Sequence, residues 1–445
     1  MSEKNRSSLH IVVYLAGRGV SSFGGFVLLI ALNVYVLERT HSPAAISLLW
    51  IIPTIASVLV GSWVGSATDR ASKRTVMMAM DIARAGLLAV LPLVQPVWSI
   101  YVIDFLVACA GTVFNRSSLP YMVTLVPESK RMRVNAVNGM LQTGALVVGP
   151  AVAGALLLLG SPRFAIWVDA ASFAVSCLTL GFLPDLRTRS YDGSSEAAAR
   201  DVATHTAQGK RWTWPWTRAL AVVAVWFADL RASARYLADH GVFLWLLSLQ
   251  SLLLVFGQAA DSQEVVFATR VLHLRYAAYS LLVSTAGVGY LVGAALVAIF
   301  PRLIPMRFQF GAGLFLGAVG FFVYSLSRSF VGAAVGFVIL GVFLSLAGTG
   351  FATYYQRAVP TAWMGRVGNL TTPATQFTTA VMIVLAGVAA QLVGVRVMTI
   401  TATSVLLLIG VLAFATIFLR RVRTEFTRHT RDSGSMAAEA AELGP

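Results

Sequence analysis

The sequence predicts an all-α membrane protein, with twelve transmembrane helices arranged as two pseudo-symmetric six-helix bundles. Three observations predict it. Of 445 residues, 57% are hydrophobic and 12% charged, with a mean hydropathy of +0.75, whereas soluble domains carry about 25% charged residues. Apolar runs long enough to cross a hydrocarbon layer about 30 Å thick recur along the chain, separated by short polar breaks. The loops that precede the fifth and eleventh runs also repeat: Val126-Pro127 with Arg133-Val134 returns 233 residues later as Val359-Pro360 with Arg366-Val367. Arg307 stands at the same offset from Arg74, and paired halves of this kind are a basis for alternating access to a central site.

The predicted spans lie near 11–37, 45–66, 75–95, 98–122, 136–160 and 163–183, then near 241–263, 276–300, 308–327, 330–355, 368–393 and 396–419. They define a bundle over 1–184 and a second over 241–419. Between them, 185–240 reads as a cytoplasmic linker. It carries Trp212, Trp214, Trp216 and Trp226 beside an apolar run too short to span, which predicts an interfacial amphipathic helix with Arg218, Arg231 and Arg235 facing phosphates rather than a thirteenth span. Residues 420–445 read as a disordered cytoplasmic tail. The first run is too long for a signal-peptide core and has no small-residue cleavage site, so it is retained as a span.

Orientation follows from the basic residues, because short loops rich in Lys and Arg resist translocation. Of the 34, 25 fall on the side of the two termini, six on the other side and three inside spans. The bias predicts a multi-pass protein of the inner or plasma membrane with both termini cytoplasmic. The net charge of +15 is then topological and requires no nucleic-acid partner.

Chemistry of other kinds finds few residues. Cys109 and Cys177 both lie in apolar runs, so no disulfide framework or thiolate metal site is expected. The six histidines lie near span ends or in loops, and no phosphate-binding G-x-x-x-x-G-K-[S/T] loop is present. Neither an enzyme, a metal, a cofactor nor a nucleotide-driven pump is expected, and energy would come from an ion gradient. A membrane sensor is less expected, because no sizeable soluble module is visible.

Between the second and third spans the chain reads Gly65-Ser-Ala-Thr-Asp69-Arg70-Ala-Ser-Lys73-Arg74. Gly65 permits a close turn, and Asp69 can cap the next element and pair with a basic group across the inner interface. In the fifth span, Gly139, Gly144, Gly149-Pro150 and Gly154 accompany Ala145 and Ala153; the small residues leave a face that another helix can approach, and Pro150 bends the helix. The loop resembles the signature of the major facilitator superfamily, and the Gly-Pro element resembles one associated with that superfamily's antiporters. Ser21-Ser22-Phe23-Gly24, Asp81-Ile-Ala-Arg84, Leu119-Pro120, Asp169-Ala-Ala-Ser-Phe173 and Gly365-Arg366-Val367, in this order and spacing, are similar to the branch of macrolide-efflux and enterobactin-export proteins. The resemblance implies the major facilitator fold and a drug:proton antiporter, with Gly65, Asp69, Arg70, Lys73 and Arg74 as a conformational latch. In one respect the chain departs from that pattern: Val107 and Ala108 stand before Gly111 where drug–proton antiporters often have an arginine.

Charges inside spans cost several kcal/mol, so those that persist are paired or line a wet pathway. Arg18 and Asp81 lie at similar depth and are expected as partners, in a structural pair or in coupling; Arg84, one turn from Asp81, could share it. Arg18, Arg84 and Arg116 are the buried cations expected. Asp81, Asp104, Asp169, Asp261 and Glu264 are the proton-coupling candidates, with a structural hydrogen bond the alternative for Asp169 and a solvated helix end the alternative for Asp261 and Glu264. Phe23, Phe26, Phe256 and Tyr354, with Asn33, Gln250, Gln258 and Gln376, are the substrate-cavity candidates, a set suited to an amphiphilic molecule.

The expected function is export of amphiphilic small molecules, of the antibiotic, multidrug or siderophore class, by proton antiport through alternating access, from a chain that works as a monomer. A nutrient or metabolite importer or uniporter of the same fold is the alternative. Cysteines placed singly within 185–211 should be protected from an impermeant maleimide in intact cells and become reactive on permeabilisation; labelling in intact cells would invert the orientation.

Overall fold

Hydrocarbon offers no hydrogen-bond partners, so each lipid-spanning segment must satisfy its backbone internally, and a chain of apolar runs becomes a set of helices. The computed structural model describes residues 3–61, 71–186, 230–300 and 303–418. Among these residues, twelve helices are long and apolar enough to cross a membrane: α1 (Glu3–Thr40), α2 (Pro43–Gly61), α3 (Lys73–Val90), α4 (Val97–Leu125), α5 (Glu128–Leu159), α6 (Pro162–Gly181), α7 (Gly241–Asp261), α8 (Tyr276–Ile299), α9 (Met306–Leu326), α10 (Phe330–Ala358), α11 (Thr361–Val393) and α12 (Val395–Phe418). A short helix, Glu264–Arg270, follows α7 after a break of two residues. Gly65, Asp69 and Arg70 of the expected latch lie outside the described residues, as do most of the linker and the tail.

Each predicted span meets one observed helix, but α5 and α11 begin several residues earlier than hydropathy indicates. Their first turns are polar (Glu128 to Arg133, and Thr361 to Arg366), so a window tuned to lipid passes over them, while helical hydrogen bonding continues into water. Both start directly after proline: Pro127 (φ −55°, ψ 144°) and Pro360 (φ −56°, ψ 145°) take the same extended conformation. The Val-Pro repeat is therefore a helix-start signal used once in each half.

The halves pack alike. In the first, α1 lies on α5 and α6, α2 on α4, and α3 on α4 and α6; in the second, α7 lies on α11 and α12, α8 on α10, and α9 on α10 and α12. Adding six to each helix number converts one set into the other. Across the halves the main contacts are α2 with α11 and α5 with α8. Even the first turns correspond: His41 after α1 (φ 48°) and His273 after the short helix (φ 52°) are the two non-glycine residues in the left-handed region among the described residues.

Close packing in the second half rests on small residues. A Cβ on Gly341 of α10 would lie 2.8 Å from the backbone nitrogen of Tyr290 and collide with the Ala286 carbonyl of α8, and one on Gly289 would strike the Val338 carbonyl of α10. These contacts are backbone against backbone and cannot rotate away. Gly341→Val should therefore lower stability by about 1–3 kcal/mol, read as an earlier thermal unfolding transition in detergent. Gly139→Ala, where nothing lies within 4 Å, should leave that transition unchanged or raise it slightly, because Ala is the better helix former by about 1 kcal/mol.

Candidate functional site: the seam between the halves

The two halves meet along α5 with α8 and α2 with α11. On α5 the small residues are divided between two neighbours. Gly149 faces α1, where a Cβ would approach the Phe26 Cβ to 2.5 Å, and Gly154 faces α8, 3.1 Å from the Ala277 carbonyl and from the Ser280 Cβ. Pro150, Ala145 and Ala153 are buried between them. From the other side Gly287 of α8 comes against α5, where a Cβ would lie 2.9 Å from the Leu146 carbonyl. On the second seam, Gly387 of α11 leaves room for Ser47 and Ala44 of α2.

Polar bonds seal the same end. Gln263 Nε2 donates to Ser47 Oγ at 2.8 Å and to the Pro43 carbonyl at 3.3 Å. Arg270 donates to the His41 carbonyl at 2.5 Å, and Ser42 Oγ donates to Gln391 Oε1 at 3.2 Å. Asn33 of α1 meets the Tyr279 hydroxyl of α8. All these residues lie near the α1–α2, α7–α8 and α11–α12 connections, at the end away from Glu3 and Phe418. Toward the other end of α5, Gly139 and Gly144 face open space. Among the described residues, the hydrogen bonds across the seam gather at one end.

The intramembrane charges sort by half. In the first, Arg84 Nη2 and Asp81 Oδ1 form a buried pair, with the guanidinium 4.5 Å from the Phe114 ring centre and 4.1 Å from that of Phe173. Among the described residues, Asp81 Oδ2 and Arg84 Nε have no hydrogen-bond partner. Asp169, also buried, accepts from Ser172 Oγ at 2.9 Å, and the pair occupies the space that Gly24 of α1 leaves open. Asp104 is buried and has no hydrogen-bonding or ionic partner among the described residues. In the second half, Asp261 and Glu264 bracket the break after α7; Glu264 is buried and its Oε1 is unbonded.

These features carry the comparison with known proteins. The sequence model of the Major Facilitator Superfamily matches residues 14–377. The chain belongs to the major facilitator superfamily. It is 23% identical over 413 residues to the MFS-type transporter YfiS of Bacillus subtilis, covering 92% of this chain and 93% of that one. It is 25% identical over 189 residues to macrolide efflux protein A of Streptococcus pyogenes, a match that spans 41% of this chain and 46% of that protein. A bacterial homologue of the human lysosomal transporter Spinster, solved in an inward-facing and unoccupied conformation, superposes with a TM-score of 0.68 over 93% of this chain and 97% of that one, at 14% identity. The fold is that of a facilitator, and the protein is a membrane transporter.

Within this facilitator, several expected sites are placed differently from the sequence reading. Arg18 does not pair with Asp81: it donates to Asn115 Oδ1 of α4 at 3.2 Å and lies over Phe114 at 5.6 Å, because Arg84, one turn from Asp81 on the same helix, reaches the carboxylate first. Arg116 is exposed and is not a buried cation, since its side of α4 is turned away from the bundle. Arg74 is engaged inside its own half, donating to the Leu180 and Gly181 carbonyls at the end of α6, where a cation satisfies both the free acceptors and the helix dipole. Lys73, beside it, is buried.

The cavity candidates divide. Phe23, Phe26, Phe256 and Gln376 are half-buried and Gln258 is exposed, while Gln250, with an unbonded Oε1, and Asn33 are buried. Tyr354 is buried against Phe243, ring centres 6.1 Å apart, inside the second half rather than on its surface. Hydropathy does not separate a buried tyrosine from one that lines a crevice, because both sit in equally apolar helices. Gly287, Gly387 and Gln263 carry the seam and have no signal of their own in the sequence beyond being small or polar in a span.

Removing one member of a buried ion pair leaves the other charge stranded. Asp81→Ala is expected to destabilise the transporter by about 3–5 kcal/mol, and the double replacement Asp81→Leu with Arg84→Leu to recover most of that loss. Thermal unfolding of the purified protein checks both.

Proposed function

We propose that this facilitator exports amphiphilic small molecules, of the antibiotic, multidrug or siderophore class, in exchange for protons, by alternating access across the plasma membrane with both termini cytoplasmic. The observation that carries the reading is the asymmetric seam. Glycine contacts and polar bonds close the end away from the termini, and Gly139 and Gly144 face open space at the other, as in a transporter that loads from the terminus-bearing side. Rocking the halves about α5 and α8 would exchange the open and closed ends.

Two further observations support direction and coupling. The relatives include macrolide efflux protein A, and Gly154, the last glycine of the Gly-Pro element of α5, packs against α8 of the other half. Asp104, Asp169, Asp261 and Glu264 offer carboxyl oxygens in spans or at their ends with no cation bonded to them among the described residues, as proton carriage requires.

In proteoliposomes, an imposed pH gradient should drive accumulation of a lipophilic cationic dye or a macrolide by the wild type. Gly154→Leu, which wedges α5 from α8, should reduce the rate at least about tenfold by obstructing closure. Wild-type vesicles that accumulate none of these compounds under any pH gradient would remove the proton-antiport reading.

A further inference from the structure

The turn between α7 and the short helix holds two different things within four residues. Gln263, with 0% of its surface exposed, ties the halves together through Ser47 and the Pro43 carbonyl. Asp261 and Glu264 flank it. We propose that Asp261 and Glu264 form a proton-binding site, and that its occupancy controls whether the sealed end stays shut, through the backbone they share with Gln263. The proposal rests on the proton-exchange reading and deepens it by naming the site and what it moves.

Two observations beyond the acidic pair point to a proton. The Tyr324 hydroxyl of α9 is buried, at 1% exposure, without a hydrogen-bond partner, and lies within charge-interaction range of Glu264 and Asp261. The Tyr279 hydroxyl of α8 lies within charge-interaction range of the same two carboxyls and faces Asn33 of the other half, so the cluster extends toward the seam. Glu264 Oε1 and Gln263 Oε1 are likewise unbonded. A neutral carboxyl can donate to one of these orphaned oxygens; a carboxylate can only accept.

No cation interacts with the pair among the described residues. From α8 it is faced by Tyr279 and Tyr290, and from α9 by Tyr324. On α12, which lies against the short helix, Thr399 and Thr403 bond carbonyls of their own helix and Arg396 stands half-buried in the first turn. Arg270 is held by the His41 carbonyl, and Glu38 of α1 is exposed, near Arg163 and Tyr276. Burying a carboxylate without a counter-charge is far more costly than burying a neutral carboxyl. The sealed conformation therefore favours the protonated pair, and opening the seam hydrates the carboxyls and lowers their affinity for the proton. By linkage, protons stabilise the sealed end and alkaline conditions loosen it.

Nitroxide labels at Leu159→Cys and Leu392→Cys, exposed positions (82% and 78%) at the sealed end of opposite halves, report the gap in liposomes once Cys109 and Cys177 are serine. The short-distance population of the otherwise native chain should fall roughly fivefold or more from mildly acid to mildly alkaline buffer. Asp261→Asn with Glu264→Gln should keep it high at every pH, Glu264→Gln alone should shrink the response, and Glu128→Gln, at an exposed carboxyl in the first turn of α5, should leave it intact. A native chain indifferent to pH, a double variant that still responds, or a population shifted by sodium ions at constant pH would each overturn the proposal. Should the double variant not fold, a full response in Glu264→Gln alone would do the same. A pH-responsive gap without gradient-driven transport would remove the antiport reading and leave the proton-binding site standing.

Discussion

Backbone-to-backbone approach between α5 and α8 is the contact on which this transporter depends. Lipid tails are as apolar as leucine side chains, so helices in a bilayer gain little by burying large apolar groups against each other and more by fitting closely. Gly154 and Gly287 bring carbonyls and Cβ atoms of the opposing half to about 3 Å of where their own side chains would be. Such a surface has no long side chains to unlock. Two rigid bundles can part along it and reseal, provided that a smaller set of polar bonds decides which end is closed.

That smaller set lies at one end. Gln263, Arg270, Ser42 and Asn33 contribute polar contacts across the halves, each to a backbone carbonyl or a neutral side chain rather than to an opposite charge. Bonds of this kind are worth about 1 kcal/mol net apiece, or a little more where the donor is charged. A seal made of several is firm when shut and within reach of the free energy of binding one small molecule or one ion. The Asp81–Arg84 pair, in contrast, is buried in the first bundle away from the seam, where Arg84 lies over the Phe114 and Phe173 rings.

The basic residues near helix ends show how one residue type does two jobs. Lys and Arg on the terminus-bearing side orient the chain during insertion, and the same side chains then satisfy carbonyls that the last turns leave free. Arg74 does so for α6, and Arg131 for α4 through the Val123 and Val126 carbonyls. Electrostatics that looks like switching in a motif can thus be helix capping in the folded bundle.

The number of spans, their order and the duplication of the halves were legible in the chain itself, because lipid thickness sets the length of each apolar run and Val-Pro marks the same helix start twice. So was the close packing at Gly149 and Gly154, since small residues in a span have few uses other than letting a neighbouring helix approach. The partners of the charges were not. Arg18 and Asp81 share a depth yet do not meet, because depth along a helix says nothing about rotation around it. Gln263 and Ser47 are 216 positions apart, and only the folding of one bundle against the other makes a seal of them. Sequence periodicity determines which segments cross the membrane; which faces turn toward each other is decided by steric fit among all twelve helices at once.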